Sequence, residues 1–258
     1  MVLVASDALG APCWLSLTAR DRDTAERFYR EVLGWTFRRD TFGRAFSVAE
    51  HNGVPVAGIG AVAGELAVPV VWTPYFAVDD ADQAVARVRE RGGTVGVGPV
   101  SYPPRGRAAL ATDLEGAVFG LWEGTIEEQW RVGEDAPAWL ELHTRNAFEA
   151  AFFYGEVLEW ATVDDPTGCC DVSYEEDQVV LRRSGTPVAR LNSGPVEQAS
   201  PKPQRRPRWL VHFKVPDLVA ATAAVNAHGG TVVEEEGATR VTVSDPDGGL
   251  FTLDEVAT

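Results

Sequence analysis

The stretch Trp139-Leu140-Glu141-Leu142-His143-Thr144-Arg145-Asn146, continuing through Phe153-Tyr154 to Glu156-Val157-Leu158-Glu159-Trp160, restates an earlier one. Its twin is Trp14-Leu15-Ser16-Leu17-Thr18-Ala19-Arg20-Asp21, through Phe28-Tyr29 to Glu31-Val32-Leu33-Gly34-Trp35. Aligned without a gap, the two share 11 of 22 positions, where average composition would give about one or two by chance. The chain is therefore a duplication. Its copies differ where chemistry is at stake, because Glu141 and His143 stand where the first copy has Ser16 and Thr18.

Each copy opens a longer pattern. Cys13 to Ala19 alternates, with Leu15 and Leu17 on one face and Trp14, Ser16 and Thr18 on the other, which predicts a strand. Asp23 can then cap a helix carrying Ala25, Phe28, Val32 and Leu33 at helical spacing, with Gly34 as its stop. From Trp35 to about Gly64, short β-type runs broken at His51-Asn52-Gly53 and Gly58 predict three strands. The same order recurs from Trp72, with a helix opened by Asp79-Asp80 and ended by Gly92-Gly93. Strands follow around Thr94-Val95, Ala108 to Ala111 and Ala117 to Trp122, the last two joined by Asp113-Leu114-Glu115-Gly116. A third unit starts at Trp139 and has strands near Asp171 to Tyr174, Gln178 to Arg183 and Pro187 to Leu191. A fourth runs from Trp209 to Val256, with Gly229-Gly230-Thr231-Val232 echoing Gly92-Gly93-Thr94-Val95, and a turn at Asp245-Pro246-Asp247-Gly248. Four βαβββ units make an α+β protein of two domains, 12–124 and 137–256, joined by an acidic linker at 125–136. Asn192 to Arg208, rich in proline and basic residues, is expected to be a mobile loop.

Bulk properties narrow the function. A length of 258 residues suits two domains, and 45% hydrophobic with 24% charged residues suits a globular protein. A net charge of −15 and a pI near 4.7 exclude nucleic acid as a general partner. The one basic segment is Lys202 to Arg208. Cys13 and the adjacent Cys169-Cys170 form no paired framework, no stretch approaches a membrane span, and residues 1–12 lack the features of a signal peptide, so a cytoplasmic protein is expected. Walker loops, dinucleotide fingerprints, Gly-x-Ser-x-Gly elbows and Cys-x-x-Cys knots are missing from the sequence.

The order strand, Asp, helix with Phe-Tyr and Val-Leu-Gly-Trp, three strands, with Asp-Pro-Asp-Gly before a last strand, resembles the vicinal oxygen chelate superfamily. That superfamily contains glyoxalases, bleomycin- and fosfomycin-resistance proteins and extradiol dioxygenases. The tandem arrangement and the ending Gly116-Ala117-Val118-Phe119-Gly120-Leu121-Trp122 are similar to a group of two-domain actinobacterial glyoxalase-like proteins. The resemblance implies that each pair of units curls its strands around one cavity. In its metal-using members a first-strand ligand lies seven residues before the Asp after the strand, and a last-strand Glu seven after the turn Asp. Here those counts land on Trp14, Thr73, Trp139 and Leu210, and on Gly120 and Thr252, so the usual chelate is missing.

Because residues two apart on a strand share a face, a displaced set remains open in the second domain. Glu141, His212 and Asp254 could hold a divalent ion one pleat along, with His143 and Lys214 a pleat further. Without metal, a dry pocket would raise the Glu141 carboxyl pKa and let Glu141 and His212 act as acid and base. A structural alternative has Glu141 locking Arg190, whose counterpart in the first copy is Gly58, into a salt bridge. Trp14 and Trp139 on the cavity faces, with Tyr75 in the first domain, suit a flat aromatic ligand or a side-chain-filled core.

The expected function is a metal-independent protein of the bleomycin-resistance type, with no cofactor, binding a hydrophobic metabolite, aromatic ones included. Its expected ligand residues are Trp14, Tyr75, Trp139, Glu141, His143, Arg190, His212 and Lys214. The alternatives are a lyase, isomerase or hydroxylase-like enzyme in the second cavity, or an interaction module whose 202–208 segment docks an acidic partner. A monomer and a homodimer are both compatible with the paired units.

Overall fold

The computed structural model describes residues 8–39, 45–134, 136–161, 169–175 and 178–256. The first half contains β1 (Pro12–Thr18), α1 (Arg22–Leu33), β2 (Thr36–Arg39), β3 (Phe46–His51) and β4 (Val54–Gly60). A short α2 (Ala63–Leu66) leads to β5 (Val71–Ala77), α3 (Ala81–Glu90), β6 (Thr94–Tyr102), β7 (Gly106–Thr112) and β8 (Val118–Gly124). The second half contains β9 (Ala138–Thr144), α4 (Ala147–Leu158), β10 (Cys170–Glu175), β11 (Gln178–Arg183), β12 (Thr186–Ser193), β13 (Arg208–Val215), α5 (Leu218–Ala227), β14 (Thr231–Glu235), β15 (Arg240–Ser244) and β16 (Leu250–Glu255). The fold is α+β, with four βαβββ units in two tandem domains.

The four main helices start in the same way. Asp21, Asp80, Asn146 and Asp217 each sit in extended backbone, and each side chain accepts from N–H groups of the first helical turn. The cap of α1 is thus Asp21 rather than Asp23, which lies inside the first turn and pairs with Arg22. Placing the cap two residues earlier leaves the helix beginning directly where the strand motif ends. Gly34 closes α1 in the left-handed conformation, and its counterpart Glu159 does so at φ 58°, a conformation costing a non-glycine about 1 kcal/mol.

Each half forms one eight-stranded sheet, in the orders β2-β3-β4-β1-β5-β8-β7-β6 and β10-β11-β12-β9-β13-β16-β15-β14. At each centre two first strands run antiparallel, β1 with β5 and β9 with β13, flanked by parallel partners β4 and β8, or β12 and β16. Alternation then sorts the side chains: Leu15, Leu17, Leu140 and Leu142 enter the core, while their neighbours face the cups.

One hydrophobic core spans both halves, because α1 packs on α5 and α3 on α4. The duplicated tyrosines tie it together. Trp72 Nε1 donates to the Tyr29 hydroxyl (2.9 Å), which donates to Asp245 of the other domain (2.9 Å). Symmetrically, Trp209 Nε1 donates to Tyr154 (2.8 Å), which donates to Asp113 (3.1 Å). Burial raises both aspartyl pKa values, and backbone N–H donors from their own turns offset part of that rise. Trp35 and Trp160 stack on the same tyrosines.

Two glycines mark the tightest approaches in this joint. A Cβ at Gly230 would meet Ser244 O at 2.6 Å and the Phe28 ring at 2.8 Å, while Gly93 is pressed on Phe153 in the same way. Gly230→Ala is expected to destabilise the protein by about 1–3 kcal/mol, since backbone on one side leaves the buried Phe28 and Val225 side chains to yield. Urea denaturation would show it, with Gly64→Ala, which meets nothing within 4 Å, leaving the midpoint unchanged or raised.

The connection from Asn192 to Arg208 differs from the expected open loop. β12 extends to Ser193, Val196 and Ser200 are buried, and a 3₁₀ turn at Pro203–Arg205 leads into β13. Among the described residues no helix is long and apolar enough to cross a membrane.

Candidate functional site

The register of the second sheet decides which side chains meet. On β9 and β13, Trp139 lies opposite His212 and His143 opposite Arg208, while β12 sets Arg190 beside Glu141. Parallel β16 places Thr252 beside His212 and Asp254 beside Lys214, and β15 brings Arg240 opposite Asp254. Glu141 and His212 are buried, and His143 is half-buried.

Glu141 is the centre of this cluster. Its Oε1 accepts from Trp139 Nε1 (3.2 Å) and its Oε2 from Asn192 Nδ2 (3.1 Å). The Nε2 atoms of His143 and His212 each lie 3.5 Å from Oε2. Neither makes a hydrogen bond there, although both atoms are fully buried. Behind His212, Asp254 stands 3.3 Å from Nδ1 and is itself held by Arg240 at 2.7 and 3.2 Å.

Burial alone would raise the Glu141 carboxyl pKa. His143, His212 and Arg240 outweigh it and bring the value down to about 2. The expectation of a raised Glu141 pKa is thereby corrected, since three cationic or donor groups crowd a carboxylate that the strands alone would leave dry. Glu141 is ionised at neutral pH, and a protonated general acid is not available from it.

One carboxylate and two imidazoles, each offering a donor atom within 4.8 Å of the others, are a set that could hold a metal ion. A spacing of 3.5 Å is poor for a hydrogen bond. It is about what two donors sharing one ion at roughly 2 Å would show. The buried, unpartnered histidine nitrogens fit such a group, and a carboxylate behind a ligating histidine is the usual support for one. The third member of the set is His143, not Asp254, because Asp254 approaches the far nitrogen of His212 and is occupied by Arg240.

Other expected residues fall around this centre. Arg190 does not pair with Glu141; it lies over the Trp139 ring at 5.3 Å and pairs with Glu134. The carbonyl of Glu134 also receives Lys214 Nζ, which lies on the rim with Arg240 and Asp254 around an open depression of about 570 Å³. Trp14 and Tyr75 lie in the other domain, lining a cavity of about 430 Å³ with Ser16 and Thr18. Arginines of the 202–208 segment are used internally: Arg205 pairs with Glu234, and Arg206 and Arg208 donate to nearby carbonyls. Lys202, Arg205 and Arg206 nevertheless remain exposed. Arg240, Asn192 and Glu134 escaped the sequence reading, and only a hairpin register from Asp254 could have pointed to Arg240.

Residues 13–121 match the family model described as Glyoxalase/Bleomycin resistance protein/Dioxygenase superfamily, and residues 139–253 match Glyoxalase-like domain. The anthracycline biosynthesis protein DnrV of Streptomyces peucetius is 31% identical, over 96% of this chain and 94% of its own. CFP32 of Mycobacterium tuberculosis, named provisionally as a glyoxylase, is 29% identical over 95% of this chain and 94% of its own. Among solved structures, the Mn(II)-bound glyoxalase from Novosphingobium aromaticivorans has a TM-score of 0.57 at 14% identity, covering 96% of this chain and 82% of that one. Catechol 2,3-dioxygenase has a TM-score of 0.55 at 12% identity, covering 97% and 89%. At these identities the structures establish likeness of fold. The expectation of a metal-independent binding protein is overturned by the converging Glu141, His143 and His212, a set that could hold a metal ion. Counting only the usual ligand positions missed a set displaced by one and two pleats.

Proposed function

Because the chain belongs to the glyoxalase/bleomycin resistance/dioxygenase superfamily, we propose that it is a metal-dependent enzyme of the lyase or isomerase type, working in the second cup. Glu141, His143 and His212 would hold a divalent ion. Such an ion supplies Lewis acidity toward an oxygen of a small organic substrate. Asp254, held by Arg240, stands 3.3 Å from Nδ1 on the far side of His212, and Trp139 and Asn192 fix the Glu141 carboxylate from the other side. Arg190 over Trp139 closes one flank. The anthracycline-pathway relative favours an oxygenated substrate of secondary metabolism. Three free cysteines suit a reducing cytoplasm.

The observation that carries this reading is the pair of buried histidine nitrogens that make no hydrogen bond yet converge on one ionised carboxylate oxygen. Elemental analysis of protein purified without chelators tests it. Near-stoichiometric manganese, iron, zinc or nickel is expected in the wild type, falling to background in Glu141→Ala. A wild type that stays empty after incubation with each ion, with no shift in melting temperature, would sink the proposal.

A further inference from the structure

The two cups can be compared position by position through their strand registers. Trp14 faces Tyr75 as Trp139 faces His212, Ser16 lies beside Gly58 as Glu141 lies beside Arg190, and Ala108 faces Trp122 as Arg240 faces Asp254. Thr18 corresponds to His143 by the same count. Each charged or ligand-type residue of the second cup, Glu141, His143, Arg190, His212, Asp254 and Arg240, therefore has a counterpart that is uncharged at neutral pH. The first cup is not a degraded copy filled in by bulk. Where the second carries Arg190 and Thr252, the first has Gly58 and Gly120, and aromatic rings occupy the space a Cβ would take. A Cβ at Gly58 would meet the Phe46 ring at 2.4 Å and Trp14 at 3.0 Å, and one at Gly120 would meet the Tyr75 ring at 2.2 Å.

These exchanges leave the cavity of about 430 Å³, within the roughly 300–1,000 Å³ range of small-molecule sites. Its walls are mostly apolar, and the charged residues lining it, Arg105 and Glu127, are of opposite sign and partly exposed. The Tyr75 hydroxyl makes no hydrogen bond among the described residues, and the buried hydroxyl of Thr73, two residues earlier on β5, has no partner either. A charged ligand would lose its hydration against walls that are mostly apolar. A planar apolar one would bury its surface against Trp14, Phe46 and Trp122.

We propose that the cup of the first domain is a second binding site, for an uncharged molecule of two or three aromatic rings bearing an oxygen that accepts from Tyr75. It adds to the metal-type centre of the second domain and does not depend on it. The probe is N-phenyl-1-naphthylamine, an uncharged dye whose emission rises in apolar sites. One dye per chain is expected, displaced by 2-acetylnaphthalene at least about tenfold more effectively than by the anionic 2-naphthoate, a difference of about 1.4 kcal/mol. Gly58→Leu, on β4, and Ala108→Trp, on β7, should each weaken dye binding about tenfold or more. Tyr75→Phe should leave the dye unaffected and weaken 2-acetylnaphthalene a few fold. Glu141→Gln, in the other cup, should not change dye binding. If either filling variant misfolds by circular dichroism, the other decides, and Tyr75→Phe preserves the cup's shape in any case. Absence of saturable dye binding, equal competition by 2-naphthoate, wild-type affinity in a folded filling variant, or loss of binding in Glu141→Gln would each overturn the proposal. Metal content is measured separately, so the two cups can fail independently.

Discussion

His212→Ala is expected to lower metal affinity by more than about 100-fold, beyond the 10- to 100-fold that losing an outer partner of a ligand costs. His212 is 1% exposed and lies between two carboxylates, with Nε2 at 3.5 Å from Glu141 and Nδ1 at 3.3 Å from Asp254. Its removal takes away a donor and the group that separates two carboxylates. Asp254→Ala should cost less, about 10- to 100-fold, because Asp254 acts on the nitrogen turned away from the cluster. Competition titrations with a chromogenic chelator would measure both. Equal losses would make Asp254 a ligand in its own right, and no loss in His212→Ala would remove the second cup from consideration as a metal centre.

Asp113→Ala should destabilise the fold by about 3 kcal/mol or more. The carboxylate accepts from the N–H groups of Glu115 and Ala117 in its own turn and from the Tyr154 hydroxyl of the other domain. Hydrogen bonds to charged groups contribute about 1.5–3 kcal/mol each, and buried donors left without partners add to the cost. Tyr154 would still receive Trp209 but would have nowhere to donate, so the loss spreads from the turn into the joint between domains. Asp245→Ala should behave alike through Tyr29 and Trp72. Chemical denaturation followed by tryptophan fluorescence would report both, and the Tyr–Asp link would be unimportant if Asp113→Ala cost no more than Tyr154→Phe and both stayed near zero.

The duplication, the four βαβββ units and the inward faces of the first strands were legible because they depend on spacing within one segment. Leu15 and Leu17 alternate with Trp14, Ser16 and Thr18 whatever else the chain does, and the helix that follows reads from its own 3.6-residue spacing. The capping position was off by two, since Asp21 and Asp23 both suit a cap and only the backbone turn between them decides. The role of Phe28-Tyr29 and Phe153-Tyr154 was not legible as more than a core face. Each tyrosine reaches a turn in the other domain, 216 and 41 residues away.

For the candidate site, the division is sharper. That Glu141 and His143 share one strand face, and that the first copy lacks both, follows from the sequence alone, because a strand's period of two is local. Three things were left to the tertiary structure: that His143 rather than Asp254 joins Glu141 and His212, that Arg190 turns to Glu134, and that Glu141 is more acidic than usual. Each depends on residues far apart in the chain coming together, as His212 of β13 and Arg240 of β15 do around Glu141. Electrostatic energies change with separations of an ångström or two, and sequence spacing does not carry that information.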